Sequence, residues 1–216
     1  PISVSYNKII RDFKEAERLL TEHGEYFDRT DENAGGFVKD RVIHMNLYAV
    51  QALLARVYWE KGDLETAKNY AMKVIDCPFF SMEDKTNVED IMNGVISDKE
   101  TIWGLYSEEF PNYTRDVMYS SGGSYYYDPK PDYREIYEVD QDGFDYRLDK
   151  WFQTLSDHGA EGLRCMKVVD RFKVRLQTRP VTKLSGINMI RLPELYYIVA
   201  EYYLVADDMK MAASYL

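Results

Sequence analysis

Tyrosine is the residue whose abundance asks for a chemical explanation, because the chain holds 19 of them and they crowd into one stretch. Between Tyr106 and Tyr133 stand Tyr113, Arg115, Asp116 and Tyr119, then Tyr125, Tyr126 and Tyr127 behind the pair Gly122 and Gly123. A tyrosine ring offers an apolar face and a hydroxyl that stays wet, a combination suited to recognition surfaces. A partner with C–H faces and hydroxyl edges, such as a sugar ring, can pack on that face while Asp, Asn or Arg hydrogen-bond its rim, Arg in bidentate fashion. The competing reading is that alternate members of the run Tyr125 to Tyr127 are buried and merely pin a loop. The candidate ligand contacts are thus Tyr113, Arg115, Asp116, Tyr119, Tyr125, Tyr126 and Tyr127, and the chemistry they fit is binding.

The residues that could react have a poorer case. Glycoside hydrolysis needs two carboxylates about 5–10 Å apart across a cleft, whereas Glu108-Glu109 and Asp140 with Asp142 are near neighbours in loop-like sequence and read as solvated. His23, His44 and His158 show neither metal-ligand spacing nor a nucleophile partner, so a hydrolytic triad has little support. Cys77 and Cys165 lie in no C-x-x-C pair and read as buried free thiols. A disulfide between them would require Cα atoms roughly 4.4–6.8 Å apart, which the sequence leaves open. Trp103, in an apolar segment, and Trp151, beside Phe152, read as core rather than stacking platforms. Asn112-Tyr113-Thr114 fits a glycosylation sequon and decides nothing by itself. No catalytic residue, metal site or cofactor is expected.

The elements that position these residues follow from composition and periodicity. A chain of 216 residues that is 45% hydrophobic can bury the core of an ordinary or fairly large domain. Its 27 Lys and Arg against 37 Asp and Glu leave a formal charge of -10, which repels nucleic-acid phosphates and anionic headgroups alike. No apolar run reaches the ~20 residues of a spanning helix, and the most apolar one, Leu192 to Ala206, is broken by Glu194 and Glu201. Pro1 opens the chain without a signal-like segment, so it reads as mature or excised. At the other end Leu216 falls inside a helical pattern without a cap.

Tyr6 to Leu20 places Ile9, Ile10, Phe13, Ala16, Leu19 and Leu20 at helical spacing, with Lys8, Asp12, Lys14, Glu15 and Arg18 left for water. Thr21 to Lys39 is polar and reads as a loop. Val42 to Asp76 is the strongest local signal, a helical hairpin. Its first helix carries Leu47, Leu54, Ala55 and Tyr58, its second Leu64, Ala67, Ala71, Val74 and Ile75. Gly62, ahead of Asp63, can end the first helix in the left-handed conformation, and the alanines permit close antiparallel packing. This pattern resembles a tetratricopeptide repeat, in which small and large residues recur so that paired helices interlock, with Pro78 at the closing position. Val199-Ala200, Tyr203 and Ala212 repeat the spacing of Leu54-Ala55, Tyr58 and Ala67, although Asp207 stands where the turn Gly would be. The region from Pro78 to Thr182 reads as loops with short helices. Within it Thr101 to Tyr106 fits a short strand or an extended core segment, and Pro131 to Val139 a short helix.

The order of these segments, with four local motifs, resembles the SusD/RagB family. Asn188-Met189-Ile190-Arg191-Leu192-Pro193-Glu194 running into Leu195 to Glu201 is similar to that family's apolar lead-in, Arg, acid and Ala-Glu helix. Arg41 ahead of the helix containing Ala55-Arg56-Val57-Tyr58 is similar to its first hallmark. Asp145-Tyr146-Arg147-Leu148 resembles its central Asp-x-Arg motif, which implies that Asp145 and Arg147 are a structural ion pair rather than a catalytic one, and Arg171-Phe172-Lys173 resembles its basic-aromatic strand. The likeness spans nearly the whole chain but lacks the family's lipidated N-terminal Cys, its leading helices and its C-terminal part.

The resemblance implies a mainly all-α fold of tetratricopeptide-like hairpins forming an α-α superhelix, with a loop-rich, Tyr-rich insertion. It implies one domain fragment over 1–216: helices over 1–77, a loop-rich ligand-side region over 78–186, and the start of a second hairpin over 187–216. It also implies non-catalytic capture of oligosaccharides or other oligomeric nutrients, peptides in some members, at the extracellular face of the outer membrane. Delivery would be to a SusC-like TonB-dependent transporter, with attachment through a lipid anchor that this chain lacks. The alternative is a tetratricopeptide-type scaffold for protein–protein interaction that binds no ligand of its own.

Overall fold

The computed structural model describes residues 2–22, 40–83, 96–97, 99–110, 137, 152–157, 160–165 and 186–216. They fall into two compact units. The first comprises Pro1–Glu83, Asp98–Leu105 and Asn188–Leu216, the second Asp84–Ser97 and Tyr106–Ile187.

The first unit is helical, as expected. Helix α1, Ile2–Glu22, is longer than its apolar pattern by a few residues at its start. It buries Ile10 and packs Phe13, Ala16 and Leu20 on the core, whereas Ile9 and Leu19 stay 40% and 45% exposed. The stripe is narrower than the sequence indicated, because each of those two precedes a better-placed residue by the 100° that separates helical neighbours.

The hairpin is built of α2, Leu47–Glu60, and α3, Leu64–Ile75. Val42 lies outside α2, in a single 3-10 turn over Arg41–Ile43. The helix waits for Asn46, whose side-chain oxygen accepts from the Ala49 N–H at 2.9 Å and whose amide donates to the carbonyls of Arg41, His44 and Ile102 at 3.1–3.2 Å. One buried side chain thus caps α2 and ties it to a distant strand. Ala55, Ala67 and Ala71 are wholly buried, which is what lets α2 and α3 approach closely.

A second hairpin, α4 over Leu192–Val205 and α5 over Met209–Ser214, repeats the turn of the first bond for bond. After α2, the Gly62 N–H donates to Trp59 O and the Asp63 N–H to Tyr58 O, both at 2.9 Å. After α4, the Asp207 N–H donates to Leu204 O at 3.1 Å and the Asp208 N–H to Tyr203 O at 2.9 Å. Both ends are Schellman motifs, closed by left-handed residues at φ 85° (Gly62) and 61° (Asp207). Asp63 then caps α3 through Thr66 N, and Asp208 caps α5 through Met211 N. Tyr58 stacks on Tyr70 at 5.7 Å and 8°, Tyr203 on Tyr215 at 5.8 Å and 16°. Every pair of equivalents, such as Tyr58 and Tyr203, is 145 positions apart. Helix α5 runs to Ser214, with Tyr215 as its C-cap.

Each helix packs on the next, from α1 through α5, and α2 also touches α4. Strand β1, Thr101–Tyr106, falls where the sequence indicated and pairs with β4, Gly186–Arg191, an element the sequence reading absorbed into the approach to α4. Ile102 and Ile190 from this ladder join Leu54, Leu195 and Val199 in one core cluster.

In the second unit, β2 (Phe152–Asp157) and β3 (Ala160–Cys165) form an antiparallel hairpin with Phe152 opposite Cys165 and Asp157 opposite Ala160. This corrects the reading of Pro78 to Thr182 as loops with short helices. Neither strand alternates apolar and polar residues cleanly, and both are poor in β-branched residues, so the sequence signal was weak. Of the short helix expected over Pro131 to Val139 only Tyr137 is described; it sits in a turn, its ring 5.7 Å from that of Phe152.

Candidate functional site

The seven candidate ligand contacts, Tyr113, Arg115, Asp116, Tyr119, Tyr125, Tyr126 and Tyr127, lie outside the described residues. So do Trp151, Asp145 with Arg147, Asp140 with Asp142, Arg171 to Lys173, His23 and His158.

Helices α2 and α4 are joined by a polar seam. Glu194, in the first turn of α4, accepts from Arg56 Nε at 2.6 Å and from Arg56 Nη2 at 2.7 Å, a two-pronged ion pair. Hydrogen bonding to Glu194 holds the Arg56 guanidinium above its ordinary value. One turn on, Trp59 Nε1 donates to Glu201 Oε2 at 2.6 Å. The acids that interrupt the most apolar segment of the sequence are therefore partners, not solvated breaks. Lys68 of α3 lies over the Tyr202 ring at 4.3 Å.

A second polar centre fastens α1. Glu17 accepts from Gln51 Nε2 at 3.1 Å, Tyr70 Oη at 3.1 Å and Lys73 Nζ at 3.0 Å. Burial alone would raise the Glu17 carboxyl; the hydrogen bonds from Lys73, Gln51 and Tyr70 and the Lys73 charge outweigh it and hold the group below its ordinary value. Burial, followed by the neighbouring Glu17 charge, pushes Tyr70 up to about 12. Sequence reading placed Glu17 on no face; its only signal was an acid lying between the stripe residues Ala16 and Leu20.

A third centre stands at the foot of the β1–β4 ladder. Buried Glu100 accepts from the Glu83 N–H at 2.7 Å and from Arg191 Nη2, while its own carbonyl accepts from the Leu192 N–H at 2.9 Å. Thr101 Oγ1 is hydrogen-bonded to Asn188 Oδ1. Arg191, singled out in the sequence only as part of a motif, finds its partner 91 residues earlier.

Trp103 packs partly buried on the core and Cys77 is a buried free thiol, both as the sequence indicated. Glu108 and Glu109 are exposed. Among the described residues no group of three or more His, Cys, Asp or Glu could hold a metal ion. No helix among them is long and apolar enough to cross a membrane.

Comparison with solved structures identifies the architecture. Along 100% of its length the chain is similar to a SusD-like carbohydrate-binding protein from Bacteroides vulgatus, with a TM-score of 0.64 and 22% identity. A SusD superfamily protein from the same species aligns over 99% of the chain at 0.62 and 19%. A SusD-like protein from Bacteroides fragilis aligns over 97% at 0.60 and 15%. The chain spans 42%, 45% and 50% of the lengths of those three proteins. No family model and no curated protein matches the sequence.

Proposed function

We propose that this chain, which has the SusD-like fold, is the middle part of a protein that captures oligosaccharides or other oligomeric nutrients without altering them. The supporting observation is the alignment of the entire chain with a protein described as SusD-like and carbohydrate binding. The chemistry of the Tyr-dense segment agrees, since aromatic faces flanked by Arg and Asp suit a ring with apolar faces and hydroxyl edges. In this reading 1–216 is one SusD-like domain fragment, whose helices over 1–77 and 187–216 carry a ligand-side region over 78–186. Its ligand would pass to a SusC-like TonB-dependent transporter at the extracellular face of the outer membrane.

Isothermal titration against a panel of glycans tests the proposal. A glycan that binds is expected to lose at least tenfold in affinity, about 1.4 kcal/mol, when Tyr125→Ala, Tyr126→Ala and Tyr127→Ala are combined. Unchanged affinity would remove that run from the site, and no affinity for any glycan would remove the carbohydrate reading. A second reading, a protein–protein scaffold, draws on the continuous stack of helices and on Tyr197, 62% exposed on α4. It predicts a transporter partner captured equally well with and without sugar.

A further inference from the structure

The third polar centre has a particular place in the chain. The first unit is interrupted twice: the chain leaves it after Glu83 and returns at Asp98, leaves again after Leu105 and returns at Asn188. Glu83, Lys99, Glu100, Thr101, Asn188 and Arg191 stand within a few residues of these four crossings, and they bond to one another. Glu100 holds the exit at Glu83 through the backbone N–H and the return at Arg191 through the guanidinium. Lys99 Nζ lies 3.6 Å from Glu83 Oε2, and the Lys99 carbonyl accepts from Ser81 N at 3.3 Å. Thr101 is joined to Asn188, the first residue of the final return. Glu83 and Glu100 have side chains only 5% and 4% exposed. Burying charges is costly unless each has its partners, so removing one member of the Glu100–Arg191 pair leaves the other charge uncompensated.

We infer that Glu100 and Arg191 are positioning residues: with Glu83, Lys99, Thr101 and Asn188 they clamp together the chain crossings from which the ligand-side region is suspended. None of the proposed ligand contacts belongs to the clamp. Its value for binding rests on the function proposed above, while its mechanical role does not.

The test is hydrogen exchange on the whole chain with Glu100→Gln, with Arg191→Met, and with the charge-exchanged pair Glu100→Arg and Arg191→Glu. Amides of β1 and β4 are expected to exchange at least tenfold faster in the single variants and to recover part of that in the exchanged pair. Amides of α2 and α3 should stay within twofold of the wild type. Equal acceleration in α2 and α3, or none in β1 and β4, would overturn the inference. Asn188→Ala, which removes the link to Thr101 and leaves Glu100 and Arg191 in place, carries the same test should Glu100→Gln fail to fold. A glycan that binds the wild type should lose at least fivefold in affinity in Glu100→Gln with every proposed contact intact, and unchanged affinity would overturn the positioning role. If no glycan binds the wild type, the carbohydrate reading fails and the exchange data still decide the clamp.

Discussion

Gly62 and Asp207 occupy the same left-handed position in equivalent turns, and only one of them does so without steric cost. A Cβ built on Gly62 meets nothing within 4 Å, so Gly62→Ala adds no clash and isolates the backbone penalty at φ 85°. It should lower stability by about 1 kcal/mol, read as a shift in urea midpoint at unchanged slope. Asp207→Gly should raise stability by about as much, because the short polar Asp side chain tolerates the left-handed region less well than Gly. An Asp207→Gly protein no more stable than wild type would mean that the carboxylate has a local role that offsets the strain. The turn at Gly62 was legible in the sequence because glycine announces the conformation. The one at Asp207 was legible only through its surroundings, since Asp fits many structures and reads as a departure from the repeat until its φ is known.

At the scale of elements, helix α1 is held to the first hairpin by a short apolar stripe and one acid. Glu17 gathers a cation, an amide and a phenol from two helices. Its pKa is lower folded than unfolded, so its contribution is present in full above the ordinary value of 4.5 and is lost as pH falls through the lowered folded value. Glu17→Gln should cost about 1 kcal/mol at pH 7 and flatten the acid limb of the stability profile, measured as urea midpoints from pH 7 down to pH 3. A variant retaining the wild-type slope below pH 4.5 would place that acid sensitivity elsewhere. Helices α2 to α4 were readable because their apolar residues recur at helical spacing over three or more turns. Strands β2, β3 and β4 were not: the equally short β1 is marked by Thr101, Ile102, Trp103 and Tyr106, whereas the others are poorer in β-branched and aromatic residues and have partners that are remote or weakly patterned. The polar seam was hidden for a related reason, since the partners Arg56 and Glu194 are separated by 138 positions.

On the scale of the whole molecule, the first unit behaves as a short solenoid whose hairpins share one core instead of owning separate ones. Leu54 and Val74 come from the first hairpin, Leu195 and Val199 from the second, and Ile102 and Ile190 from the ladder, all in a single buried cluster. In such a stack stability is a sum of repeat terms and interface terms, so damage in one repeat spreads through the interface. Leu195 is fully buried in that shared cluster. Leu195→Ala should cost about 2–5 kcal/mol, a large share of the roughly 5–15 kcal/mol that holds a domain folded. Hydrogen exchange should then accelerate in α2 and α3 together with α4 and α5, because the cavity opens in a core that both hairpins share. Loss of protection confined to α4 and α5 would instead mean two independently stable hairpins. The interface term would then be small, and the Arg56–Glu194 and Trp59–Glu201 contacts would orient the hairpins without coupling their stability.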